Sequence, residues 1–359
     1  MKLFFTLLFF YTIQLVSGQQ LKLSGKVIET FSKVPIPFAH IIINEDTHLF
    51  TDLEGKFEFA SQNKILKLQC GHYMHRPYLG SNISSDTITI KMNRFEFFKD
   101  ELTADPQGIA VMQDVLSWRN HNNPDFYSYY TYSTYNKFTL TPGNIADANK
   151  MIKSFSAILP GRLKELHPNQ HLLLVESASD KEYLNDNNHR ETIKSTRSSG
   201  VSVPSAFFKT SQLQATNIYS DYIIVNGKEY VSPLSKTSLE QYNFNVIDSA
   251  IIDQRKLRIL KFNPKPDKNF DGLRGQLYVD DRYHAVRYYS TSPMDDNTMS
   301  ATIYQEFQLV DDQKWFPKAS KTENLTYKGL YEVKYTSSLF SRVYNIKSNT
   351  PLSKHKFDE

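Results

Sequence analysis

The stretch "VPIPFAHIIINEDTHLFTDLEGKFEFA", Val34 to Ala60, decides how this chain is read. A proline-flanked apolar start leads into "AHIII", a polar turn follows, and "GKFEFA" then alternates strictly, with Phe57 and Phe59 on one face. Such alternation puts every second side chain on the same side of a pleated strand. In "TDLEGKF", Asp52 and Gly55 suit a tight turn, with Gly55 supplying a positive φ. Upstream, "LKLSGKVIE" reads as a strand with a glycine at its centre; downstream, "KILKLQC" and "DTITIKM" alternate as well. Short strands in this number, separated by turn chemistry, predict a small β-sandwich. Its expected core is Val27, Ile41, Ile43, Phe57, Phe59 and Leu68.

Ahead of that segment stands "MKLFFTLLFFYTIQLVSGQQ", with Lys2 before an apolar run from Leu3 to Val16 and small residues at Ser17 and Gly18. This is the pattern of a secretory signal peptide, cleaved after Gly18. The run is shorter than the roughly 20 residues a membrane-spanning helix needs. No Cys sits at the cleavage point, which argues against a lipid-anchored lipoprotein. The net charge of +4 is spread along the chain without a basic block, so a nucleic-acid partner is not expected. The only cysteine, Cys70, precludes an internal disulfide and reads as a small buried hydrophobe.

Farther along, "TADPQGIAVMQDVLSWRNHNNP" has Asp105 as an N-cap, Pro106 at the first helical position and apolar residues at Ile109, Met112 and Leu116. That spacing predicts a helix, read as a connector between two domains. From "FYSYYTYSTYNKFTLTP" onward the chain is strand after strand, with "VNGKEY", "YKGLYE", "VDDRYHAV" and "VDDQKWF" as turn signals. An antiparallel sheet of about nine strands is expected, with one weak helix candidate at "DANKMIKSFSAIL". The resulting division is a leader over 1–18, a sandwich over 19–93 and a linker with helix over 94–124. A β-rich domain over 125–347 and a tail over 348–359 complete it.

Catalytic patterns are not found. A zinc peptidase needs three protein ligands and a nearby base. The closest of the ten histidines, His72 and His75, would lie on opposite faces of one strand, and no H-E-x-x-H occurs. They read as exposed loop histidines. "SSGVSVPS" lacks the second glycine of a nucleophile elbow. The pairs Asp280/Asp281, Asp295/Asp296 and Asp311/Asp312 fall where turns are predicted and read as turn formers. Calcium in "MDDN" is the functional alternative, without the spaced ligands of an EF-hand. Glu176, beside Ser177, reads as a carboxylate paired with Lys181 or Arg197, against the alternative of a buried acid. No catalytic, cofactor or metal residue is therefore assigned.

Two resemblances add to this reading. "SGKVIE", "VPIPFAHIIIN", "FTDLEGKFEF" and "LKLQCGHY" resemble, in order, the carboxypeptidase-regulatory-like domain, through Gly25, Val27, Pro37, Ala39, Thr51, Asp52, Gly55, Phe57, Gly71 and Tyr73. The resemblance implies a transthyretin-like, non-catalytic sandwich, as found at the front of TonB-dependent receptors. "HLLLVESASDKEYL", "RSSGV", "YVSPLSKTSLEQYNFNVID" and "KFNPKPDKNFDGLRGQLYVDD" are similar to an uncharacterised family of Gram-negative envelope proteins. The shared positions are Glu176, Ser177, Ser199, Gly200, Pro233, Tyr242, Phe262, Pro264, Phe270, Gly272 and Gly275. Members of that family continue into a strand-rich outer-membrane part, so the resemblance implies a C-terminal membrane part missing after Glu359. "GQLYVDD" and "KWFPKAS" also look like the curled half-barrel of lipoprotein carriers.

The expectation is a mainly β, non-enzymatic, exported protein of the periplasm or outer membrane. It would act as a binding or assembly scaffold for an envelope protein or outer-membrane component. The alternative is a half-barrel carrier of an apolar ligand such as a lipid; a hydrolase is the least supported reading.

Overall fold

The computed structural model describes residues 21–30, 33–61, 65–72, 75–83, 87–93, 105–127, 129–142, 171–185, 188–200, 217–225, 227–294, 299–310, 314–326 and 335–348. The leader, the "DANKMIKSFSAIL" segment, the "YKGLYE" turn, Asp295/Asp296, Asp311/Asp312 and the tail past Ser348 lie outside these residues.

Seven strands build the first module: β1 (Leu21–Glu29), β2 (His40–Ile43), β3 (Thr47–Phe50), β4 (Lys56–Ser61), β5 (Ile65–His72), β6 (His75–Ile83) and β7 (Thr87–Met92). They form two sheets, β4-β1-β7 and β3-β2-β5-β6. Val27, Ile41, Ile43, Phe57 and Leu68 are buried in one apolar cluster, and Phe59 is half-buried at its margin. The turn before β4 forms as its sequence predicts. The Asp52 carboxylate accepts from the backbone N–H of Glu54 and of Lys56, each at 2.8 Å. Gly55 takes φ +70°, and a Cβ there would lie 2.6 Å from the Val27 carbonyl oxygen.

Helix α1 (Pro106–Ser117) starts at Asp105, whose Oδ1 accepts from the Gly108 N–H at 2.6 Å. The buried stripe is Gly108, Val111, Met112 and Val115, whereas Ile109 is exposed and Leu116 half-buried. The predicted stripe of Ile109, Met112 and Leu116 is therefore corrected by a small rotation. Its cause is Gly108, where an added Cβ would come within 2.1 Å of the Phe244 carbonyl oxygen. Only glycine lets the helix backbone sit this close to the strand beneath. Asp105 Oδ2 also accepts from the Val246 N–H at 3.1 Å, so one carboxylate caps the helix and fixes it to the sheet. The helix is thus part of the second core rather than a connector alone. A short turn, α2 (Arg119–Asn122), follows.

The second sheet holds ten antiparallel strands. These are β8 (Tyr130–Pro142), β9 (Leu173–Asn185), β10 (Asn188–Gly200), β13 (Tyr242–Ile252), β14 (Arg255–Pro264), β15 (Leu273–Asp280), β16 (Val286–Pro293), β17 (Met299–Val310), β18 (Lys314–Thr326) and β19 (Tyr335–Ser348). Their order is β10-β9-β8-β19-β18-β17-β16-β15-β14-β13, so β19 returns to lie beside β8. A separate hairpin, β11 (Tyr222–Val225) with β12 (Lys228–Val231), and the turn α3 (Ser238–Gln241) complete the module. The expected nine strands are corrected to ten plus the hairpin. The strand missed was β10, "NHRETIKSTRSSG", whose one apolar residue, Ile193, gives no alternation to read. As an edge strand it faces solvent along most of its length.

The sheet is open, curling as a half-barrel. Its inner face, over β13 to β17, buries Phe244, Phe262, Leu277, Tyr289 and Phe307 beneath α1 and the β11–β12 hairpin. Its outer face receives the sandwich: Phe38, Phe50 and Leu53 pack against Tyr278, Tyr288 and Tyr304. Phe38 and Tyr288 lie 5.1 Å apart between ring centroids, and the Tyr278 hydroxyl donates to the Phe38 carbonyl at 2.9 Å. No helix among the described residues is long and apolar enough to cross a membrane.

Candidate functional site

Along β8 the alternation "YTYSTYN" turns Tyr130, Tyr132, Thr134 and Asn136 to the inner face. On β9 the same phase turns in Leu173, Val175, Ser177, Ser179, Lys181 and Tyr183, which pair in register with the β8 set. The inner face of this end is therefore polar in its middle. Buried hydroxyls and amides are tolerable only when hydrogen-bonded, and here they bond one another across four strands. The Ser341 hydroxyl donates to Asn136 Oδ1 at 2.7 Å, and Asn136 Nδ2 reaches Thr134 Oγ1 at 3.4 Å. Thr134 and Ser179 share a bond of 2.9 Å, and Ser179 donates to Glu191 Oε1 at 2.8 Å. Glu191 Oε2 in turn faces Lys181 Nζ at 3.7 Å. Burial holds the Lys181 ammonium below its ordinary pKa, with Glu191 opposing.

Lys181, Glu191 and Ser341 of this network border a cavity of about 430 Å³. One wall is aromatic. Tyr130 stacks on Tyr183 at 4.6 Å between centroids, and Phe316 sets its edge against Tyr130 at 4.9 Å and against Tyr132 at 5.6 Å. The floor is polar, with Lys181, Gln305, Ser320 and Ser341. Gln305 is 3% exposed, and its Oε1 has no hydrogen-bond partner among the described residues. An acceptor buried without a partner costs roughly 1–3 kcal/mol, a cost that a ligand donor or a water would remove. His189, Arg190, Asp125 and Asn217 stand at the rim. The space falls within the range of small-molecule sites, about 300–1,000 Å³. Its lining sets four tyrosine and phenylalanine rings among a larger number of polar side chains, unlike the uniformly apolar hollow of a lipid carrier.

The residues weighed from sequence lie elsewhere. His72 ends β5, is 8% exposed and pairs in register with position 75 across a hairpin. That corrects both the exposed-loop reading and the placement on one strand. Glu176 accepts a 2.5 Å hydrogen bond from the Tyr135 hydroxyl, and the Lys181 expected beside it pairs with Glu191 instead. Strand phase explains this, since positions 176 and 181 are an odd number apart and point to opposite faces. Arg197 is the register partner of Glu176 on β10. Burial, then the bond to Glu176, pushes the Tyr135 phenol up to about 12. Ser177 is buried on the inner face. Burial also pushes the Cys70 thiol up to about 12, the behaviour of an inert core residue. Asp280 is fully buried; its Oδ1 accepts from the N–H of Arg282 and of Tyr283, each at 3.0 Å, and Arg255 pairs with it. It is a turn former, as its position predicts. Among the described residues no cluster of three His, Cys, Asp or Glu is placed to hold a metal.

Glu191 and Gln305 were not singled out by sequence, and Lys181 only as a partner for Glu176. The available signal was the phase of β9, which carries a lysine onto the side occupied by Leu173 and Val175.

The chain is an antiparallel half-barrel with a cleft on its inner face and a small β-sandwich docked on its outer face. The chain belongs to a family of unknown function (DUF5686), whose profile matches residues 111–345. No curated protein matches it. Among solved structures it is similar to a domain described as that of an outer membrane lipoprotein-sorting protein from Vibrio parahaemolyticus. That likeness is 13% identical, covers 70% of this chain and 96% of that one, and has a TM-score of 0.31. It is also similar to a DUF1329 family protein from Desulfovibrio piger, 12% identical over 71% of this chain and 98% of that one, with a TM-score of 0.31. Scores this low carry no argument about ligand or role.

Proposed function

We propose that this chain is a non-enzymatic, exported envelope protein whose half-barrel binds a small ligand in the inner-face cavity. The observation that carries this is the cavity itself, where an aromatic wall meets a floor holding Lys181 and the unpartnered Gln305 acceptor. Such a lining suits a molecule with an apolar body and a polar head rather than a bare acyl chain. The ionic groups of the floor are committed to one another, Glu191 to Ser179 and Lys181, which favours binding over acid–base work. Export rests on the leader from Lys2 to Gly18. The sandwich is taken as a carboxypeptidase-regulatory-like accessory module, whose place in the envelope is to present the half-barrel to a partner or to the outer membrane.

The test is to purify the protein from the envelope fraction, extract it with solvent and identify what co-purifies by mass spectrometry. An amphiphile should be recovered. Ser320→Leu, which fills the floor, should lower its occupancy about tenfold or more, the equivalent of at least 1.4 kcal/mol. Equal recovery from parent and variant would remove the cavity from consideration.

A further inference from the structure

Lys181 on β9 and Glu191 on β10 are register partners, and both line the inner-face cavity. Both are drawn away from bulk water: the side chain of Lys181 is 9% exposed and that of Glu191 19%. Nζ and Oε2 stand 3.7 Å apart, close enough to attract but beyond the length of a direct hydrogen bond. Glu191 Oε1 accepts from the Ser179 hydroxyl at 2.8 Å, which leaves Oε2 as the oxygen that faces the ammonium. The pair therefore sets a donor and an acceptor side by side on the lining of one cavity. Building on that cavity as the ligand site, we infer that the Lys181–Glu191 pair selects a neutral head group rich in hydroxyls, a saccharide, over ionic ones.

The selection follows from what each head group would meet. A hydroxyl both donates and accepts. Set beside the pair, one hydroxyl accepts from Nζ and donates to Oε2, and both ions are satisfied. An anionic head would gain Lys181 but meet Glu191, and a cationic head would gain Glu191 but meet Lys181. Away from bulk water neither repulsion is screened, so it cancels much of the attraction. The rim does not tip this balance. Arg190 is the register partner of Glu182, and Asp125 accepts from Asn217 Nδ2 at 2.7 Å.

The aromatic wall fits the same ligand. A pyranose ring carries C–H groups on its faces and hydroxyls around its edge. Those C–H groups are slightly positive, which suits the negative faces of tyrosine and phenylalanine rings. Tyr183 stands two positions from Lys181 on the same face of β9, with Tyr130 and Phe316 beside it. The volume of about 430 Å³ is near the lower end of the range for small-molecule sites, room for a head group rather than a long chain. Such a head group reaches the site either as a free saccharide or as the polar end of a glycolipid.

The experiment is calorimetric titration of the full chain, purified from the envelope fraction, below micelle-forming concentrations. The probes are the n-octyl glycosides of glucose, galactose and mannose, with octyl sulfate and octyltrimethylammonium as ionic counterparts of equal chain length. At least one glycoside should bind the parent about tenfold or more tighter than either ion, and Ser320→Leu should abolish that binding. Lys181→Met leaves Glu191 uncompensated, so octyltrimethylammonium should gain about tenfold while the glycoside weakens. Should that variant not fold, Lys181→Met with Glu191→Leu takes its place, and there the glycoside should lose its advantage over both ions. A role in stability alone would move neither preference. Methyl glycosides separate the two sources: affinity within about tenfold of the octyl form indicates a free saccharide, and a greater loss a glycolipid. An ionic probe that matches the best glycoside on the parent and is lost in Ser320→Leu overturns the neutral head but keeps the cavity. A glycoside preference that survives in the double variant overturns the role of the pair. Should no probe respond to Ser320→Leu, the head group and the cavity fall together.

Discussion

The inner face of β13 to β17 and that of β8 to β10 with β19 belong to one sheet, yet they end in opposite ways. On the first, alternation brings in Phe244, Phe262, Leu277 and Tyr289, and the chain covers them with its own helix and hairpin. On the second, the same alternation brings in Thr134, Asn136, Ser177, Ser179 and Lys181. Covering apolar surface returns roughly 25 cal/mol per Å², while a polar surface already hydrogen-bonded returns little. The period of the pattern therefore fixes which residues turn inward. Their chemistry decides whether a lid over them is worth forming: among the described residues the lid lies over the apolar end, and the cavity at the polar one.

The side covered by α1 and the hairpin should be the more sensitive to substitution. Phe262 is fully buried, with Tyr242 5.8 Å and Phe244 6.3 Å from it between centroids. Phe262→Ala should cost about 3–5 kcal/mol, because neither α1 nor the strands can collapse into the space left. Urea unfolding should show a large drop in midpoint with an unchanged slope. A loss under about 1 kcal/mol would mean that this half is as loosely held as a surface.

How far the sequence discloses this division depends on the element. The sandwich core and the turn at Asp52–Gly55 are legible because alternation and turn chemistry are local. Asp105 is legible as a cap for the same reason. The exact stripe of α1 is not, since it depends on how closely Gly108 approaches Phe244, a strand distant in sequence. β10 carries no pattern because all of its described side chains except Glu191 are exposed. The cavity is half legible: the phase of β9 places Lys181 inward, but its partner Glu191 comes from the patternless strand. The contact of Tyr278 with Phe38, which joins the sandwich to the sheet, spans 240 positions and leaves no trace in spacing.

A smaller effect sharpens the open side. Thr134 is fully buried, shares its hydroxyl with Ser179 and receives Asn136. Thr134→Val keeps the shape and removes the oxygen, which leaves one Asn136 donor without its acceptor while Ser179 keeps Glu191. The expected loss is about 1–3 kcal/mol, well under that of Phe262→Ala. A Thr134→Val protein as unstable as Phe262→Ala would make the polar ladder, not the apolar half, the main source of stability. Thermal unfolding of the two variants side by side decides this.

The smallest effect concerns Lys181, and its sign follows from the pKa. Burial lowers that pKa below 10.5, so the unfolded chain holds the proton more firmly than the folded one. Stability therefore contains a cost at neutral pH that is relieved as pH rises from the lowered value toward 10.5. Lys181→Met alone removes the cost but strips Glu191 of its cation, and should lose about 1–3 kcal/mol. Lys181→Met with Glu191→Leu removes both ions, and should stay within about 1 kcal/mol of the parent, since replacing a buried pair by apolar residues is often neutral or better. Measurements from neutrality up to about pH 9, a unit below the ionisation of ordinary tyrosines, then separate the cases. The parent should gain on the double variant as pH rises. A double variant that falls as far as the single one, with no convergence at alkaline pH, would show that the pair holds the open end together rather than merely lining it.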